Sequence, residues 1–307
     1  VDYTNEPPQM PAELLWFHDH GLGATRLNVF PELAAAYIIR DQFDTGAETG
    51  PNANPIGIPG DAYEIPLVIQ DRQFNSDGAF LYPTSDIAGV TWIGEYFGNV
   101  MLVNGKVWPF LTVEPRMYRF RILNGCNARI LDLDLGGLRF WQIGAEGGMW
   151  DKPVLMSEMV LAPAERADIL VDFSALAGQA LEMINHRPRA PVSTPAPTLT
   201  SVMQIRVGTT VSHPGPTTIP ETLLGGRAAN LSTPDNTRYI TLNEIAAETA
   251  GWFLNLHGLR FDPASDGATP TLGTVEDWVY INLTGDTHPM HTHLFTHQVI
   301  GRTPFNV

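Results

Sequence analysis

Five of the nine histidines in this 307-residue chain fall into two short clusters near its ends. The first is Trp16-Phe17-His18-Asp19-His20, and the second is His288-Pro289-Met290-His291-Thr292-His293. Along an extended strand, alternate side chains share a face. His18 with His20, and His291 with His293, would each offer two imidazoles about 6–7 Å apart on one side. One such pair can grip a metal cluster from one side, and a second pair can grip it from the other. The three-residue offset of His288 turns it to the opposite face of a regular strand, where it can serve a different metal. That layout suits a redox protein with two connected metal sites. A lone His-x-His says little, because histidine is common on surfaces. Two of them, one extended to His-Pro-x-His-x-His, are much harder to dismiss. Imidazole suits copper, zinc, iron and nickel, and the spacing does not choose among them.

The elements that would carry these residues read as strands. Ala36–Arg40, Tyr63–Gln70, Ile169–Phe173, Ser201–Val207, Arg238–Leu242 and Trp278–Leu283 are short apolar or alternating runs. Met117–Leu123 alternates, with Tyr118, Phe120 and Ile122 on one face and Arg119 and Arg121 on the other. Helical signals are few: Glu32–Ala36 and Ser174–Ala177 each predict a turn or two. With Gly 28 and Pro 25 punctuating the chain, the sum is an all-β protein of sandwich type. Two stretches rich in Gly, Pro, Asn and Thr, 44–62 and 209–236, read as linkers around a block of ordinary domain size. Pro188–Pro197 reads as a Pro-rich loop.

Net charge of −15 argues against nucleic acid and anionic membranes, and it tolerates cationic or neutral substrates. No stretch approaches the ~20 apolar residues of a membrane span. The single cysteine, Cys126, excludes a disulfide within the chain and reads as a small buried hydrophobe. No signal peptide is visible and the first residue is Val1, so a fragment or processed piece is expected.

Four segments together carry a resemblance. They are LWFHDHGLGATRLNVFPELAAAYIIRD, MLVNGKVWPFLTVEPRMYRFRILNGCNAR, LAPAERADILVDF and HPMHTHLFTHQVIGRTPF. In this order they resemble the three-domain multicopper oxidases, in the branch of spore-coat laccase, bilirubin oxidase and phenoxazinone synthase. The resemblance implies cupredoxin-like Greek-key β-sandwich domains, the middle one complete and the first and third partial. It places 1–43 at the end of domain 1, 63–208 as domain 2 and 237–307 at the start of domain 3. It implies copper: His18 and His20 as ligands of a binuclear type 3 pair, His291 of the type 2 copper, His293 of type 3, and His288 of the mononuclear type 1 copper. It also implies dioxygen and small aromatic reducing substrates, phenols or aromatic amines, as reaction partners, and a secreted or cell-envelope setting. The family's other two His-x-His motifs and its His-Cys-His motif do not occur here, so N- and C-terminal segments of the same protein are expected to supply them. The alternative is a non-catalytic cupredoxin-fold protein of structural or assembly role. A cupredoxin nitrite reductase has other ligand spacings. Asp19, Arg26 and Asn28 read as structural, Trp16 and Phe17 as core packing, Met290 and His297 as packing, and His186, His213 and His257 as surface groups.

Overall fold

The computed structural model describes residues 11–85, 93, 95–186, 198–223, 232–256 without 248–250, 262, 268–292 and 297–305. Its strands, in chain order, begin with β1 (Glu13–His18) and β2 (Ala34–Ile39). Then come β3 (Glu64–Arg72), β4 (Val100–Val103), β5 (Lys106–Val107), β6 (Phe110–Val113), β7 (Met117–Asn124), β8 (Leu131–Asp134), β9 (Phe140–Ala145) and β10 (Gly148–Met156). The series continues with β11 (Glu158–Leu161), β12 (Arg166–Asp172), β13 (Ala180–Asn185), β14 (Ser201–Val207), β15 (Asn236–Ala247), β16 (Gly251–Leu256) and β17 (Glu276–Asn282). One short helix, α1 (Thr25–Val29), and two single 3-10 turns complete the regular structure of the described residues. The chain is all-β, and none of its described helices is long and apolar enough to cross a membrane.

Two compact units divide the chain: 1–82 with 97–189 and 196–227, and 83–96 with 190–195 and 228–307. The first unit is built on a sandwich. A seven-stranded sheet, in the order β10-β9-β12-β7-β3-β4-β5, faces a five-stranded one, in the order β11-β8-β13-β14-β6. Tyr118, Phe120 and Ile122 of β7 point between them, against Ile169 and Val171 of β12 and Leu131, Met183 and Ile205 of the facing sheet. That is the apolar face that alternation requires.

The other face of β7 is buried too. Arg119 is 0 % exposed and Arg121 1 %. An unpaired guanidinium cannot be buried without great cost, and neighbouring strands supply the counter-charges. The register sets Asp168 of β12 opposite Arg121 and Glu64 of β3 opposite Arg119, all on one face. Arg119 donates to both oxygens of Asp168 (2.8 and 2.5 Å) and to both of Asp44 (2.9 and 2.8 Å). Arg121 donates to Asp44 at 2.5 Å and to Glu64. Arg40, just past β2, reaches both oxygens of Glu64 (3.0 and 2.6 Å) and Asp44 (3.2 Å).

Asp44 stands inside the stretch expected to be a linker, and it is 1 % exposed. Asn54 there holds the Ile58 carbonyl and amide with its side chain, and Ile58 is fully buried. From the second presumed linker, Leu223 and Ile219 join Ile58, Ile56, Met117, Ile143 and Leu170 in a second apolar cluster. Parts of both stretches therefore pack on the large sheet, through Ile56 and Ile58 in the first and Ile219 and Leu223 in the second. Gly and Pro exclude regular strands there, but they do not exclude packing. Arg116 adds a second tie: it bonds Glu48 (2.6 Å) and the His213 carbonyl (2.6 Å), and its guanidinium lies 3.4 Å from the Tyr63 ring centre.

Two local expectations need correction. Residues 32–36 are not helical. Glu32 has φ of 69°, which ends the turn after α1, and Ala34–Ile39 is drawn into pairing with β1, so tertiary pairing overrides alanine's helix preference. Phe17 is 59 % exposed rather than core. The turn at Ser174–Leu176 is present, as 3-10 helix. Pro188–Pro197 lies outside the described residues.

The ionic layer has a pH signature. Burial alone would raise the Asp44 carboxyl, but Arg119, Arg121 and Arg40 outweigh it and hold it far below the ordinary carboxylate range. Its stabilisation is complete above the ~3.9 of an unfolded aspartate and is lost as pH falls through the depressed folded value. Asp44→Ala should cost about 3–5 kcal/mol at neutral pH, since it leaves buried cations short of a partner; chemical denaturation measures this. Asp44→Asn should also flatten the acid limb of the stability–pH curve. A second expectation concerns Gly215, where an added Cβ would fall 1.5 Å from Arg116 Nη2. Gly215→Ala should destabilise by about 1–3 kcal/mol through that overlap, read as a lowered urea midpoint.

Candidate metal centre

The first histidine pair sits at the outgoing end of β1. The strand's beginning is fixed. Ala12 N–H donates to Asp41 (3.1 Å), Gly147 N–H donates to Glu13 (3.0 Å), and Arg166 donates to the Leu14 carbonyl (3.1 Å). Regular pairing with β2 stops at His18, opposite Ala34. The chain then bends into α1. Asp19 Oδ2 accepts from Gly21 N–H (3.2 Å), and Thr25 Oγ1 donates to the Asp19 carbonyl (3.0 Å). Asp19 thus does structural work with its side chain.

The rings of His18 and His20 stack at 4.9 Å, and Trp16 lies against His18 at 4.5 Å. The three alternate residues keep to one side although the strand ends between the histidines. His18 Nδ1 lies 2.6 Å from the Asp19 carbonyl oxygen. A carbonyl only accepts, so Nδ1 carries the hydrogen and the lone pair stands on Nε2. An imidazole pinned through one nitrogen, with the other left to donate, is the usual form of a metal ligand.

The second cluster follows β17 without regular strand pairing, since neither Thr284–Asp286 nor His288–Thr292 belongs to a strand. The alternation argument that set His288 apart from His291 therefore does not apply here. Pro289 lacks the N–H that ladder pairing needs. A compact turn holds His288 instead. Asn282 Oδ1 accepts from the Thr284 amide (3.0 Å) and hydroxyl (2.8 Å), and Asn282 Nδ2 donates to the Asp286 carbonyl (2.6 Å). His288 Nε2 lies 2.7 Å from Thr284 Oγ1 and 3.3 Å from Glu244 Oε1 of β15.

The Thr284 hydroxyl has one hydrogen, with Asn282 Oδ1, the Asp286 carbonyl and His288 Nε2 all within reach. The Glu244 carboxylate on the same side of the ring can only accept. That carboxylate favours hydrogen on Nε2 and the lone pair on Nδ1, the reverse of His18. Burial and the Asp286 carboxylate push the Glu244 carboxyl up, and His288 partly offsets this.

His291 is exposed. Thr292, beside it, lies 3.3 Å from His297 Nδ1, so His297 bonds to the segment rather than merely packing. His293 and His257 lie outside the described residues. Among the described residues, no three His, Cys, Asp or Glu side chains gather into a metal-holding group. The structure brings His18 and His20 together and gives His288 its own polar cradle. The donors fit copper as imidazoles with one nitrogen committed. His186 and His213 are exposed. Cys126 is buried, its thiol raised well above the ordinary value by burial and Asp71. Sequence spacing could not disclose Glu244, which lies on another strand. The Asn282-Leu-Thr284 segment carried the one local signal, a side-chain-capped turn just before a histidine.

Comparison with known proteins agrees. A family model described as multicopper oxidase matches residues 232–306. The chain is 37% identical over 310 residues to a laccase of Bacillus subtilis (strain 168), covering 98% of this chain and 58% of that protein. It is 34% identical to a laccase of Haloferax volcanii, covering 94% of this chain and 48% of that protein. The chain thus spans about half the length of these curated relatives. The crystal structure of the McoA multicopper oxidase from Aquifex aeolicus superposes with a TM-score of 0.74 at 29% identity, covering 92% of this chain and 61% of that one. The all-β cupredoxin-like fold is shared with it. Stacked imidazoles at the end of β1 and a histidine cradled after β17 stand beside this run of similarities: residues 232–306 match the multicopper oxidase family, and nearly the whole chain is similar to members of it.

Proposed function

We propose that this chain works in a laccase-like oxidase that couples one-electron oxidation of phenols or aromatic amines to reduction of dioxygen. Four electrons and four protons convert one dioxygen to two waters. In this reading, 1–43 ends a first cupredoxin domain, 63–208 forms the second and 237–307 opens the third. His18, His20 and His293 serve a type 3 copper pair, His291 a type 2 copper and His288 the type 1 copper. The carrying observation is the His18–His20 pair, stacked at 4.9 Å with His18 Nδ1 held by the Asp19 carbonyl.

Bound copper would supply reversible one-electron chemistry. The protein's part is orientation. The Asp19 carbonyl directs His18 through Nε2, and Thr284 with Glu244 directs His288 through Nδ1. Separate sites let electrons be accepted singly from a donor and spent together on dioxygen. The alternative, a metal-free structural cupredoxin, has no use for imidazoles whose tautomers are set in this way. A secreted or cell-envelope setting completes the proposal.

Two experiments test it. In the intact oxidase carrying this sequence, His288→Ala should weaken the blue absorption and stop substrate oxidation, yet leave the inner cluster reactive toward dioxygen when chemically reduced. His291→Ala should keep the blue copper and halt turnover. Optical and paramagnetic resonance spectra of both variants decide, and the opposite pattern would overturn the assignment. Residues 1–307 expressed alone should develop no intense blue band and take up no dioxygen with a phenolic dye, because the one thiol, Cys126, is buried and held protonated.

A further inference from the structure

Glu244 has no place in the ligand set, yet its carboxylate is aimed at a proposed ligand from a different strand. It stands on β15, paired with β16 two residues past the end of the β17 pairing, and its side chain is 19 % exposed while that of His288 is 16 %. Thr284 already occupies His288 Nε2 at 2.7 Å, so the ring would keep its orientation without Glu244. What the carboxylate adds is charge. A formal negative charge 3.3 Å from the imidazole, largely shielded from water, interacts far more strongly than it would in bulk solvent. A carboxylate beside the non-ligating nitrogen also makes the ligating nitrogen more basic. Both effects favour the more highly charged state of a metal held at Nδ1.

We propose that Glu244 is a positioning residue for His288 that also sets the reduction potential of the outer metal, lowering it by stabilising the oxidised ion. Thr284 fixes the ring, and Glu244 biases its electronics. The division follows from chemistry: a neutral hydroxyl holds the ring nitrogen, while the carboxylate also brings charge. This inference rests on His288 as a type 1 copper ligand.

The test uses the intact, copper-loaded oxidase with Glu244→Gln and Glu244→Asp beside the parent. Glu244→Gln keeps size and an acceptor oxygen but removes the charge. The midpoint potential of the blue copper, measured by redox titration at neutral pH, should rise in Glu244→Gln, with the blue band and copper content kept. Glu244→Asp should return toward the parent value. An unchanged potential in Glu244→Gln at full copper content overturns the role of Glu244 while leaving His288 as ligand. If instead His288→Ala keeps the blue band, the underlying reading has failed. A copper-free measurement guards against misfolding. Nitrogen chemical shifts of His288 in the metal-free parent should report hydrogen on Nε2, and Glu244→Gln should keep that tautomer while shifting the Nε2 resonance. Hydrogen on Nδ1 in the parent would overturn the proposal.

Discussion

Three guanidinium groups and three carboxylates share the outer face of the large sheet. They are Arg40, Arg119 and Arg121 against Asp44, Glu64 and Asp168. The charges balance, and the demand for balance organises the unit. Arg119 and Arg121 come from one central strand, and their partners come from strands on either side and from chain that crosses over the sheet. Burying such a set is not cheap, and an apolar replacement of the whole could be as stable. Its value lies in uniqueness. Asp44 can reach both arginines in one placement only, so the crossing segment cannot slide. Arg40 carries the same constraint to the end of β2, and β2 is the pairing partner of the strand that ends in His18.

Each histidine then depends on a short-range device rather than on sheet regularity. The Asp19 carbonyl serves His18, and a hydroxyl inside a side-chain-capped turn serves His288. Both lie where strand pairing has stopped. A side chain held off the strand is not confined to the two directions that pleating alone offers. The two imidazoles are held by different nitrogens, His18 through Nδ1 and His288 through Nε2, so identical side chains leave different atoms open.

Much of this was legible in the residues. Strand runs such as Ser201–Val207 and Met117–Leu123 carry their period openly, and the spacing of His18 and His20 foretold the one-sided pair that stacks at the end of β1. Two kinds of information were hidden. Gly- and Pro-rich composition marks 44–62 and 209–236 as irregular, but burial of Asp44, Ile58 and Leu223 depends on partners far along the chain. Likewise, Arg119 and Arg121 read as a polar face, and only the register that brings Asp168 and Glu64 beside them turns that face inward. The three-residue spacing of His288 suggested a strand face, whereas Pro289 and the Asn282–Thr284 turn set its direction instead. Glu244 was invisible for the same reason as Asp44, since its neighbour is set by strand pairing and not by proximity in sequence.

The pairing of β15 also bears on the order of events during folding. It joins β16 through a tight antiparallel hairpin, but it meets β17 in parallel, Asn236 opposite Glu276. Hairpins of this kind close within microseconds. A parallel pairing across some forty residues must first meet a larger loop-closure cost, so it forms later. Glu244 rides on the early hairpin, while Thr284 and His288 follow the late strand. Glu244 is therefore brought beside His288 only when that non-local pairing closes, whereas the Thr284 contact, four residues away, forms with its own local turn. The carboxylate beside this histidine is thus one of the last neighbours it acquires as the chain folds.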